Sequence, residues 1–290
     1  ENWQNVTPSG MPEGIVNAIE VSSHDPAKAY IVVMRYKFND LSPYIYMTKD
    51  YGASWKRIDD GIRDPYTFIR VVREDRKVSG LLYAGSETGL YVSWDDGQNW
   101  EEVQLNLPVV AINDLTIQDN DLVAATAGRS FWILDDLGAF QQGKNIIGND
   151  QSYLFEPKPQ YRMEGSTATD YVAGLGQNPM QGIAFDYYLP EKDDSLEFSI
   201  EILDQSGNIL RTYSNAVDES FASWPGGPPK PDVLPAEKGV NRFAWDLRRE
   251  TLPAVDKVFV YGDYRGSKVG PGRYTIRMIL KEDTLRTTAR

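Results

Sequence analysis

The sequence predicts an all-β chain in two parts: repeated four-stranded sheets, then a two-sheet sandwich. Three observations carry this reading. An eight-residue pattern, [Ser/Thr]-x-Asp-x-Gly-x-x-Trp, occurs twice, 45 residues apart: Thr48-Lys49-Asp50-Tyr51-Gly52-Ala53-Ser54-Trp55 and Ser93-Trp94-Asp95-Asp96-Gly97-Gln98-Asn99-Trp100. The apolar runs around both copies alternate with period two, as strands do, and never hold the 3.6 period of a helix. The 290 residues include 7 Trp, 17 Tyr, 10 Phe, 24 Gly and 17 Pro, a mixture that suits many short strands and tight turns.

The first part is a repeat. In its middle copy the apolar runs are 67–74, 81–86, 90–94 and 100–104. Four strands in about 45 residues is the period of a β-propeller blade. The residues beyond each Trp also correspond. Trp55 leads through Ile58 and the pair Asp64-Pro65 to the run at 68–72, and Trp100 leads through Val103 and Pro108 to the run at 111–117. Trp3 opens the same way, through Val6 and Pro12 to 15–21, so residues 3–6 read as the orphan last strand of an earlier copy. A third copy decays: 122–133 aligns with 82–93 and Asp135-Asp136 with Asp95-Asp96, but no Trp follows. Residues 1–140 therefore make about three blades, and a closed ring takes four to eight. The expectation is a partial propeller whose remaining blades come from a longer protein, with blades from a second chain as the alternative. A start at Glu1 rather than Met agrees with a processed or shortened chain.

The repeated motif has a structural reading. Asp50 and Asp95 accept backbone N–H bonds across a turn between third and fourth strands, and Gly52 and Gly97 supply the positive φ it needs. Thr48 and Ser93 bond the same loop, and Trp55 and Trp100 cover it. Charge-assisted hydrogen bonds contribute ~1.5–3 kcal/mol, and a buried Trp of ~200 Å² adds at most ~5 kcal/mol. On this reading the motif is a staple, not a catalytic centre.

These motifs resemble the Asp-box, or BNR repeat, of sialidases, of sortilin-type VPS10 domains and of the photosystem II stability/assembly factor family. The phrases 50–55, 82–92 and 126–136 are similar to a narrower group of large secreted bacterial proteins, often labelled glycosyl hydrolase or VPS10/sortilin-like. The likeness covers residues 1–140 most fully. It implies about three four-stranded Asp-box blades and a secreted, periplasmic or cell-surface bacterial location. The Asp-box specifies the fold and not the function, because enzymes and receptors both carry it.

In the second part, residues 141–181 read as a linker rich in Gln, Gly, Asn and Pro. Gly174-Leu175-Gly176 looks like part of a dinucleotide fingerprint, but Pro179 stands where the third Gly belongs and no strand precedes it. From 182 to 290, strands are expected at 183–189, 196–203, 209–213, 240–247, 257–261 and 274–280. Six or seven strands in this length indicate an immunoglobulin or fibronectin type III-like β-sandwich. The stretch 224–235, with five prolines, reads as a stiff surface loop and less readily as a polyproline ligand.

Composition narrows the chemistry. With no cysteine there is no disulfide framework, thiolate zinc site or Cys nucleophile, and the single histidine, His24, rules out a multi-His metal cage. A net charge of −12 argues against nucleic acid as a partner. No apolar run approaches the ~20 residues of a membrane helix. His24-Asp25-Pro26 reads as turn chemistry rather than part of a triad. Asp-Asp pairs at 59–60, 95–96, 135–136 and 193–194 leave calcium as an option, but no Asp-x-Asp-x-Asp loop exists and no cofactor is expected. Asn5-Val6-Thr7 matches a glycosylation sequon, uninformative in a bacterial protein.

Strand order places the loops between second and third strands opposite the motif turns. Those loops, 36–43, 86–88 and 127–129, carry Arg35, Tyr36, Asp40, Tyr44, Glu87 and Arg129, the candidate ligand-binding set. Aromatics beside carboxylates and arginines suit a sugar, and Asp40 with Glu87 would be the pair to weigh as acid and base. The sialidase nucleophilic Tyr, its Glu and the three-arginine cluster have no counterpart here, nor do xyloglucanase carboxylates, so no catalytic residue is assigned. The expected function is a carbohydrate- or protein-binding, scaffolding fragment. The alternative is part of a sialidase- or xyloglucanase-like glycoside hydrolase, its active site largely elsewhere. A hydrolase predicts two carboxyls facing a cleft, and a scaffold predicts them ion-paired.

Overall fold

In the first half of the chain, strands follow the period-two runs closely. The computed structural model describes residues 2–62, 66–144, 146–161, 180–192, 195–280 and 283–290, and the chain divides into two units, Glu1–Leu137 and Gly138–Arg290. In the first unit, β1 (Ile15–Val21), β2 (Ala29–Met34), β3 (Ile45–Thr48) and β4 (Lys56–Arg57) form one antiparallel sheet in sequence order. β5 (Ile69–Glu74), β6 (Leu82–Ser86), β7 (Leu90–Ser93) and β8 (Glu101–Glu102) form a second sheet of the same design. Among the described residues a third sheet has only β9 (Ile112–Gln118), β10 (Asp121–Thr126) and β11 (Phe131–Leu134), with β11 at its edge. These are two complete propeller blades and one of three strands.

The repeat extends to irregularities that composition does not reveal. The innermost strand of each blade carries a β-bulge, because the register skips Asn17 in β1, Arg70 in β5 and Asn113 in β9. A bulge adds local twist and re-aims one side chain, and here successive blades use it to join: Asn17 Nδ2 donates to the Arg70 carbonyl at 2.6 Å. Between the first two blades lies a core of Tyr30, Val32, Ile45, Met47 and Ile58 against Ile69, Val72, Leu82, Ala84, Tyr91 and Trp100. Each fully buried aliphatic side chain there contributes roughly 1.5–3 kcal/mol.

The two motif turns are nearly identical. Thr48 Oγ1 donates to Asp50 Oδ1 at 2.8 Å and accepts from the Gly52 amide at 2.9 Å, while the Ser54 amide donates to Asp50 Oδ1 at 2.8 Å. Ser93, Asp95, Gly97 and Asn99 repeat these bonds at 2.9 Å each. Gly52 and Gly97 have φ of 85° and 79°. The tryptophans do more than cover their own turns. Trp55 Nε1 donates to the Val6 carbonyl at 2.7 Å, and Trp100 Nε1 to the Ile58 carbonyl at 2.6 Å. Val6 and Ile58 each lie three residues beyond the tryptophan of the preceding repeat, so the motif clasps one repeat to the one before. Residues 3–6 are not a strand in this chain, contrary to expectation. Their Val6 nevertheless takes the place in the first blade that Ile58 takes in the second.

The second unit is a β-sandwich. One sheet runs β12 (Tyr153–Leu154), β13 (Ile183–Leu189), β16 (Gly239–Trp245); the other runs β15 (Ile209–Ser214), β14 (Phe198–Leu203), β17 (Tyr274–Leu280), β18 (Asp283–Ala289). Their inner faces share one core, in which Phe185, Tyr187, Phe243 and Trp245 meet Ile200, Ile202, Tyr213, Ile276 and Met278. Three strands over four, in this order, is the fibronectin type III-like arrangement.

Three expectations need correction here. Part of the span read as linker belongs to this unit: helix α1 (Gly138–Gln142) and β12 bring Ala139 and Phe155 against Tyr188. Residues 257–261 are not a strand. Lys257 adopts φ 58°, and the segment docks on the 224–226 turn through Trp224 Nε1 to the Val258 carbonyl and the Val260 amide to the Gly226 carbonyl. The sheet instead gains β18, whose mostly polar alternation had no apolar signal. The fingerprint-like Gly174 to Pro179, the Asp64-Pro65 pair and the Asp193-Asp194 pair lie outside the described residues.

Candidate functional site

The 36–43 loop is built on Arg35. A 3-10 turn at Tyr36–Phe38 ends where Asn39 adopts φ 56°, which returns the chain so that Asp40 faces Arg35. Arg35 Nη1 pairs with Asp40 Oδ2, Arg35 Nε donates to the Glu13 carbonyl at 2.9 Å, and Tyr44 OH donates to Asp40 Oδ2 at 2.8 Å. The Ser42 amide donates to the other Asp40 oxygen at 3.1 Å. Burial pushes the Asp40 carboxyl up, but the Ser42 amide, the Tyr44 hydroxyl and Arg35 outweigh it and hold its pKa below the usual range. Arg35, Asp40 and Tyr44 thus form one closed group, with the Arg57 guanidinium 4.3 Å from the Tyr44 ring centroid.

Tyr36 belongs to a second group. Its ring stacks on Phe68, centroids 5.5 Å apart and planes 17° apart. On Phe68 also lies the Arg70 guanidinium, 5.1 Å from the ring centroid. Arg70 Nε donates to Glu87 Oε1 at 2.5 Å and its other nitrogen pairs with the same carboxylate. Blade one's loop is therefore tied to blade two's through an aromatic stack that ends in an ion pair. Sequence reasoning missed Phe68 and Arg70. The available signal was Arg70 itself, a charge interrupting the apolar run at 68–72, at the position the bulge re-aims. Arg129 is exposed on the β10–β11 hairpin, where its carbonyl accepts from Trp132 Nε1 at 3.0 Å. Among the described residues it shares no hydrogen bond or ion pair with either group.

On the motif-turn side the structure holds a buried charge cluster that the sequence did not suggest. Lys28 Nζ bonds Glu74 Oε1 at 2.8 Å and Asp96 Oδ1 at 2.5 Å; Tyr30 OH donates to Glu74 at 3.1 Å and Lys49 reaches Asp96 at 3.0 Å. Burial opposes the charge on Lys28, Glu74 and Asp96. For Lys28, the Asp96 and Glu74 carboxylates outweigh burial and raise its pKa; for Glu74 and Asp96, bonds led by Lys28 outweigh burial and lower theirs. The cluster joins the two blades, with Lys28 and its two carboxylates each favouring the charged form of the other. His24 is a turn residue, its Nε2 2.7 Å from the Asp75 carbonyl oxygen. Among the described residues no three His, Asp or Glu side chains converge to hold a metal ion.

The second unit has a cleft of about 550 Å³ beside β15, walled by Pro229 and Pro231 and reached by Arg211, Phe221, Asp246 and Arg265. The proline-rich stretch is thus one wall of a cleft. Among the described residues no helix is long and apolar enough to cross a membrane.

No protein-family model matches the chain, and no curated protein matches it. Solved structures show distant likenesses. PorZ, an essential bacterial surface component of the type-IX secretion system of Porphyromonas gingivalis, is 13% identical over 95% of this chain and 30% of that one, with a TM-score of 0.35. The GH74 enzyme of Niastella koreensis is 15% identical over 42% and 21%, at 0.34. YCF48, solved bound to a D1 peptide, is 18% identical over 41% and 35%, at 0.31. The chain spans no more than 35% of any of these three. Superpositions this loose carry no argument about function.

Proposed function

We propose that the chain is a binding or scaffolding module of a secreted or surface-located bacterial protein of the Asp-box type. Its ligand face is the loop side of the first two blades, and its ligand is a carbohydrate. One observation supports this reading above the rest: both candidate carboxylates are committed to arginines while the Tyr36 ring, 42% exposed, lies stacked and open to solvent. A glycoside hydrolase needs one carboxyl that holds a proton near neutral pH and a second free to attack or activate water. Asp40 is driven the other way, toward lasting ionisation, and Glu87 is engaged by two nitrogens of Arg70. A fixed aromatic face rimmed by charged hydrogen-bonding groups suits the apolar face and hydroxyls of a sugar ring.

Screening the chain on a glycan array, then repeating the positive features with Tyr36→Ala and Arg129→Ala, tests this. Loss of signal with Tyr36→Ala supports the face. Binding that both substitutions leave unchanged sinks it, and a purified protein ligand competing for Tyr36 would redirect the reading toward a protein partner.

A further inference from the structure

The cleft beside β15 lies wholly within the second unit, and two of its arginines lack what others in that unit have. Arg242, Arg265 and Arg277 each close on a carboxylate, at 2.7, 2.7 and 2.6 Å. Arg211 stands 3.8 Å from Glu250, and Arg248 stands 3.9 Å from Asp246. Both of those carboxylates are turned to backbone amides instead. Glu250 Oε1 accepts from the Thr212 amide at 2.6 Å, and Asp246 Oδ1 from the Arg248 amide at 3.0 Å. The two arginine side chains are nonetheless largely withdrawn from water, 13% and 21% exposed. Arg211 Nη1 bonds Thr251 Oγ1 at 2.9 Å, while its Nε has no hydrogen-bond partner among the described residues. A desolvated cation without a close anion is costly to hold, and a planar guanidinium suits a carboxylate in particular.

The rest of the lining limits what carries that carboxylate. Four acidic residues, Asp218, Asp232, Asp246 and Glu250, equal the four basic ones in number, so a multiply charged phosphate meets as much repulsion as attraction. A ligand with one carboxylate among many hydroxyls uses both signs, because a hydroxyl donates to a carboxylate and accepts from a guanidinium. The edge of β15 is already occupied. Its Leu210 carbonyl accepts from the Glu250 amide at 2.8 Å, its Thr212 amide is held by the Glu250 side chain, and its Ser214 carbonyl accepts from the Leu234 amide at 3.0 Å. A peptide adding as a strand has no open ladder to join there. Phe221, Pro229 and Pro231 supply an apolar wall, and the volume of about 550 Å³ is that of a small-ligand site.

We propose that this cleft binds an acidic sugar, its carboxylate taken by Arg211 and Arg248, its hydroxyls by Asp246, and its ring by Phe221 and Pro231. The site is separate from the loop face of the first unit and stands or falls without it.

Calorimetric titration of the whole chain with galacturonate and glucuronate disaccharides, each beside its neutral parent sugar, tests this. At least one acidic disaccharide should bind tenfold or more tightly than its neutral parent. A chain of net charge −12 repels acids in general, so that preference needs a local source. Arg211→Gln should weaken the binding at least tenfold. Because Arg211 also holds Thr251, Phe221→Ala on the half-buried wall is the second variant. It should weaken binding at least threefold with an unchanged circular dichroism spectrum. No binding, equal affinity for acidic and neutral sugars, or binding that neither substitution weakens overturns the proposal. Binding lost in Tyr36→Ala and kept in Arg211→Gln would assign the sugar to the loop face and overturn it too. Displacement of the disaccharide by an equal concentration of inorganic phosphate would mark a general anion site and overturn the choice of a sugar.

Discussion

The Trp100 indole N–H donates to the carbonyl of Ile58 at 2.6 Å, across the boundary between the first and second blades. Gly97, in the same turn, is packed so closely that a Cβ there would stand 2.6 Å from Ile58 Cδ1. Gly52 stands in the same relation to Val6, at 2.8 Å. The motif therefore needs Gly twice over, once for its backbone angle and once for the approach of the preceding repeat.

Replacing Trp100 should separate these contributions. Trp100→Phe keeps most of the packing and loses the hydrogen bond, an expected cost of about 1–2 kcal/mol. Trp100→Ala leaves a core cavity and should cost about 3–5 kcal/mol. Gly97→Ala should be destabilising despite adding one carbon. Urea unfolding followed by tryptophan fluorescence reads all three, and a Gly97→Ala variant as stable as the parent would contradict the close-packing account.

Lys28 is the sole cation among the described residues bonded to the buried Glu74 carboxylate. Lys28→Met should therefore cost about 3–5 kcal/mol by leaving Glu74 unpaired in the interior. Adding Glu74→Leu should recover much of that loss, because a well-packed apolar pair is close to neutral against a buried ion pair. Equal stability of the single and double variants would show that Glu74 is not what Lys28 compensates.

Acid should weaken the first unit. Asp40, Asp50, Glu74, Asp95 and Asp96 have folded pKa values below their ordinary ones, so each contributes stability that is present above its unfolded pKa. That stability is lost as pH falls below about 4.5 and through the folded values. Glu20 works in the opposite sense: burial raises its folded pKa, so lowering the pH adds stability through this group. Five groups against one predicts a falling urea midpoint between about pH 5 and 3, reduced in slope by Glu74→Gln. A midpoint that rises over that range would contradict the assignment.

Much of the first unit was legible because its repeat is written in residue types that turns require: Asp50 and Asp95, Gly52 and Gly97, and the alternating runs between them. The sequence could not show that Trp55 and Trp100 bond the preceding repeat, since that contact is with a backbone carbonyl of any residue. The loop face was legible in part. Arg35, Asp40 and Tyr44 are close in sequence and meet in space, whereas Glu87 finds Arg70 across the hairpin through a bulge that only the register reveals. Residues 257–261 looked like a strand because they are apolar and aromatic, but strand formation needs a sheet edge, and these residues lie on a turn instead. β18 has an edge to pair with and little apolar signal, so it was invisible for the complementary reason.

The most direct test of the account is to titrate the chain with an oligosaccharide identified on the array while assaying the same mixture for newly released reducing ends. Saturable binding that Tyr36→Ala weakens tenfold or more, with no bond cleavage by the parent protein, is the expected result. Steady hydrolysis by the parent that Asp40→Asn or Glu87→Gln abolishes would contradict it and return those two carboxylates to catalytic roles.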